Sequence, residues 1–132
     1  MENFNLILPE VFLSLSIFTT LLIGVFFKNS YNLVTNITYL IIISLLLMIF
    51  NSFNDSGNLF SNSFVSNTFT NFFKILILLG TLFTMFITQD FIKEMKINYF
   101  EYPLLLLFSI LGMFVMISSN DLMSFYLGLE LQ

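Results

Sequence analysis

Leu33-Val34-Thr35-Asn36-Ile37-Thr38-Tyr39-Leu40-Ile41-Ile42-Ile43-Ser44-Leu45-Leu46-Leu47-Met48-Ile49-Phe50-Asn51-Ser52-Phe53 runs without a charged side chain. Crossing about 30 Å of hydrocarbon takes roughly 20 mostly apolar residues in a helix, so the stretch predicts a spanning helix. Three more runs read the same way, at about 6–27, 72–92 and 102–120. Pro9 and Glu10 suit the first turn of the first span. Proline there gives up a donor that has no intrahelical partner, and a carboxylate favours the positive helix end. That end effect is the plain reading of Glu10. Pro103, with Glu101 just before it, suits the first turn of the fourth span. The expected fold is all-α: a single polytopic membrane helix bundle over 1–132, with four full spans and the first half of a fifth.

Composition supports a membrane protein. Hydrophobic residues make up 58% of the 132, and charged residues 9%; soluble domains carry about 25% charged residues. Disorder needs the opposite balance. With no Cys and no His, thiolate zinc sites, disulfides and Cys–His or Ser–His catalysis are excluded. The basic residues are four lysines against a net charge of −4, so nucleic acid is not an expected partner. Ala, Arg and Trp are also absent, while Phe numbers 19. Such a bias points to AT-rich codon supply, as in many organelle genomes, rather than to a demand of the fold.

Residues 51–71 are rich in Asn, Ser and Thr and read as a loop. Phe60, Phe64, Phe69 and Phe72 suggest that its later part is an interfacial or lightly packed segment. Lys74 lies near the start of the third span, where its long stem is expected to snorkel the ammonium to the interface. Asp90-Phe91-Ile92-Lys93-Glu94-Met95-Lys96 is the one charged cluster and reads as a loop. Four crossings put Lys28, Lys93 and Lys96 on one side, and Glu2 and Asp55 on the other. The lysine asymmetry then places the N-terminus outside.

A fifth helix is expected from Asp121, with Ser118 to Asp121 as candidate caps. Twelve residues to Gln132 cover only about 18 Å. The missing half is therefore expected from a second chain continuing after Gln132, or from further residues of the same chain. Glu130 lies nine residues beyond Asp121, about 13.5 Å along the helix. A carboxyl at that depth costs at least a few kcal/mol and normally faces a bundle interior or a water path. Apolar surroundings favour its neutral form, so it can bind and release protons. The alternative is an inert, protonated Glu130 packed against a polar neighbour, with Ser124 and Gln132 as candidate hydrogen-bond partners. Glu130 is the candidate site residue.

The stretch from Met116-Ile117-Ser118-Ser119-Asn120-Asp121-Leu122 through Tyr126-Leu127-Gly128-Leu129-Glu130-Leu131-Gln132 resembles the start of transmembrane helix five in subunit 2 of mitochondrial NADH:ubiquinone oxidoreductase (complex I). Pro9-Glu10-Val11-Phe12 resembles the Pro-Glu of that family's first helix. The likeness is specific over 101–132 and loose in the middle. It implies the N-terminal part of an antiporter-like, proton-translocating subunit of the inner mitochondrial membrane, with the N-terminus toward the intermembrane space. It implies membrane-arm subunits and lipid as partners. It places NADH, FMN, iron–sulfur clusters and ubiquinone in other subunits, with no cofactor in this chain. Glu130 corresponds to the helix-five glutamate, whose lysine partners lie on later helices. The rival readings are a fragment of a sodium/proton antiporter, which shares much of the pattern, and a structural membrane subunit with no proton role.

Overall fold

The computed structural model describes residues 6–27, 31–54, 56–59, 63–95 and 99–132. Five helices follow one another: α1 (Leu8–Phe26), α2 (Tyr31–Asn51), α3 (Thr68–Met95), α4 (Glu101–Ser118) and α5 (Leu122–Leu131). The first four are long and apolar enough to cross a membrane, and the fifth is a shorter apolar helix. The all-α expectation holds, with bounds displaced by a few residues. The largest displacement is at α3, whose 28 residues run about 42 Å.

Each long helix buries one stripe. Leu13 and Ile17 of α1 meet Ile41, Ile42, Leu45 and Ile49 of α2, Leu78 and Met85 of α3, and Leu107, Ile110 and Phe114 of α4. α1 and α3 each pack against α2 and α4, while α5 lies on α4. The first four helices therefore form a ring in which α1 and α3 sit on opposite corners. Several buried hydroxyls are satisfied within their own helices. Thr20 donates to the carbonyls of Ser16 and Ile17, and Thr38 to that of Val34. Returning the hydroxyl to the preceding turn lets a polar residue enter an apolar bundle without an orphaned group.

The described residues within 51–71 hold more regular structure than the loop expected from composition. β1 (Gly57–Leu59) pairs antiparallel with β2 (Phe64–Ser66) in a short hairpin. The hairpin docks on the turn after α4: Phe64 bridges to Ser119, and the Asn120 N–H donates to the Ser63 carbonyl at 3.0 Å. α3 begins four residues before the expected bound because Asn67 and Thr70 close its first turn through reciprocal hydrogen bonds. Asn71 then reaches back to cap α2, donating to the carbonyls of Ser52 and Phe53. Phe64 is half-buried, whereas Phe69 and Phe72 are exposed on α3. Glu2, Lys28, Asp55, Phe60 and Lys96 lie outside the described residues, as does the side chain of Lys93.

Candidate functional site

Asp121 begins α5 as expected: its carboxylate accepts the Ser124 N–H at 2.8 Å. Hydrogen bonding by the Ser124 side chain, then by its backbone, holds the Asp121 carboxyl below its usual range. α5 runs back along α4 at very close approach. A Cβ at Gly128 would sit 2.8 Å from the Met116 nitrogen, and one at Gly112 would sit 2.5 Å from the Gln132 nitrogen. These two contacts fix the register, placing Glu130 level with Phe114. Measured from the end of α4 at Ser118, that is four residues, or about 6 Å. The depth along α5 is larger because that helix starts beyond the end of α4.

Gly128 faces α4, and Glu130, two residues on, is exposed on the outer side of α5. Leu127, Leu129 and Leu131 are exposed around it. Ser124 and Gln132 do not serve as its partners. The Ser124 backbone is engaged in the cap, and Gln132 packs on Gly112 and donates its N–H to the Gly128 carbonyl at 3.2 Å. A carboxylate presented on an apolar helix face can exchange a proton with whatever group or water meets that face.

Lys74 departs from its sequence reading. Its side chain does not snorkel outward. It is 1% exposed, and its ammonium donates to Glu10 Oε1 at 2.5 Å. Glu10 is correspondingly more than a helix-end charge. It closes the α1–α3 diagonal of the ring at the hairpin end. Phe64 and Phe114 cover the ammonium, with ring centroids at 5.4 and 5.7 Å, within the range of cation–π attraction. The order of the spans permits the contact without singling it out. The starts of the first and third helices lie on one side, so one acid and one base placed early in each can meet. Among the described residues no group of three or more Asp or Glu side chains could hold a metal ion.

The chain is similar to proteins named NADH-quinone oxidoreductase subunit N. It is 50% identical over 133 residues to the one from Pelagibacter ubique, covering 100% of this chain and 28% of the relative. Against that of Bartonella bacilliformis it is 39% identical, covering 96% and 26%. Against subunit N 1 of Rhizobium meliloti it is 37% identical, covering 98% and 27%. No protein-family model matches. The chain spans about a quarter of the length of these relatives. The resemblance to complex I is borne out, under bacterial naming, where the sequence pointed to mitochondrial subunit 2. Over its 132 residues the chain is a homologue of NADH-quinone oxidoreductase subunit N.

Proposed function

We propose that this chain is the N-terminal part of an antiporter-like, proton-translocating membrane-arm subunit of NADH:quinone oxidoreductase, and that Glu130 takes up and releases a proton during turnover. The observation that carries the reading is the similarity to subunit N over the length of this chain, joined to a carboxylate on the outward face of α5. The relatives extend well beyond the shared stretch, so that face is where the remaining helices of such a subunit pack. A lysine from them, directly or through water, is the partner Glu130 lacks among the described residues. Redox chemistry with NADH, FMN, iron–sulfur clusters and quinone belongs to neighbouring subunits. Glu130 contributes a proton site and no electron transfer.

The membrane is an energy-converting one. Its identification as the mitochondrial inner membrane rests on the AT-biased composition, and an N-terminus toward the intermembrane space rests on the lysine asymmetry. Affinity purification of the native subunit tests the assignment. The expected result is co-purification with flavin- and iron–sulfur-containing proteins and NADH-driven quinone reduction. Recovery without them, with sodium/proton exchange in vesicles, would identify a free-standing antiporter instead.

A further inference from the structure

The Glu10–Lys74 pair is more than a closed ion pair, because it leaves hydrogen-bonding capacity unused. Glu10 Oε2 is buried without a partner, and so is the Ser118 hydroxyl. Ser118 is fully buried at the end of α4 and lies close enough to act on the Glu10 carboxyl. An ammonium has three donors, and Glu10 Oε1 takes one of the Lys74 donors. Three groups with unmade hydrogen bonds around one buried point form the setting in which an internal water is held. A polar track leads there from the hairpin: Thr70, Asn71 and Lys74 share the buried face of α3, and Ser66 of β2 reaches Asn71.

We propose that Glu10, Lys74 and Ser118 form a second proton-holding site, with water on Glu10 Oε2 and Ser118 Oγ, on the far side of α4 and α5 from Glu130. Register puts the two sites at one level. Phe114 is the α4 residue level with Glu130, and its ring also lies against the Lys74 ammonium. A proton delivered by water from the hairpin side binds Glu10 Oε2 and turns the carboxylate into a carboxylic acid. Lys74 keeps its proton, and the site passes from net zero to plus one. The reverse step returns the proton to water. Among the described residues, Lys74 of α3 and Ser118 of α4 act on Glu10, and the hairpin contributes Phe64. The titratable side chains of α2, Tyr31 and Tyr39, do not act on it.

The Glu10 site does not rest on the proton-carrying role of Glu130. The test is infrared difference spectroscopy of the assembled complex on reduction by NADH, with E10Q, S118A and E130Q variants. The expected result is a carboxylic-acid band that E10Q abolishes, S118A shifts and E130Q leaves in place. An assembled, active E10Q complex with an unchanged spectrum would overturn the proposal. If E10Q fails to assemble, S118A decides alone, because it keeps the ion pair. The expected S118A result is a band shift with a displacement of about half a pH unit or more in the pH profile of proton uptake. Identity with wild type in both would overturn it. If the Glu10 band behaves as expected while E130Q pumps normally, the second site stands and the role of Glu130 falls.

Discussion

At the scale of the residue, Lys74 carries the heaviest consequence. Removing one member of a buried pair leaves an uncompensated charge, at about 3–5 kcal/mol, whereas replacing both with apolar groups is often neutral. Lys74→Met alone is therefore expected to cut the yield of assembled, folded subunit severely, and Glu10→Leu with Lys74→Met to restore much of it. A double mutant no better than the single would show that the pair does not act as a unit. Asp121 gives a pH-dependent effect of opposite character. Its folded-state carboxyl titrates below its ordinary value of 3.8 because Ser124 hydrogen bonds favour the charged form. The stabilisation it gives α5 is present above that ordinary value and is lost as pH falls through the lower folded value. Hydrogen exchange in the first turn of α5 is expected to accelerate in that acid window in wild type and not in Asp121→Asn. The cap was legible because a short polar side chain before an apolar run has one economical use. The Glu10–Lys74 contact was not, because a lysine near a helix end satisfies the snorkelling rule unless the partner across the bundle is known.

At the scale of the element, the α4–α5 hairpin depends on two glycines. Gly128 and Gly112 admit backbone of the facing helix where a methyl group has no room, the small-residue contact that lets apolar helices approach closely. Gly128→Ala is expected to push α5 away from α4 and cost about 1–3 kcal/mol, as overpacking does. Gly80→Ala is the control, since a Cβ there meets nothing within 4 Å. Thermal unfolding of the purified assembly checks both, and equal midpoints would refute the close crossing. The four spans were readable from long, mostly apolar runs, because length and composition decide spanning. The hairpin at 57–66 was hidden because strands of three residues carry no usable alternation. Its order comes from docking on Ser119 and Asn120, a contact distant in sequence.

At the scale of the whole molecule, the helix alternation puts the hairpin, the start of α1 and the α4–α5 turn on one side, and Tyr99 on the other. The lysine rule assigns the Tyr99 side to the interior. A cysteine introduced at Asn54 is expected to react with an impermeant reagent added outside, and one at Tyr99 only after permeabilisation; the opposite pattern would invert the orientation. The proton-carrying assignment of Glu130 was available from sequence through Tyr126-Leu127-Gly128-Leu129-Glu130-Leu131-Gln132. Its outward aim was not, because it depends on which face of α5 carries Gly128 into α4. The most direct test is Glu130→Gln in the assembled complex, reconstituted in sealed vesicles, with proton uptake and quinone reduction measured together. The substitution keeps shape and one acceptor but cannot ionise. Loss of most proton translocation, with coupled quinone reduction falling alongside it and assembly intact, is the predicted result. Native pumping rate and stoichiometry would show that Glu130 is structural and contradict the assignment.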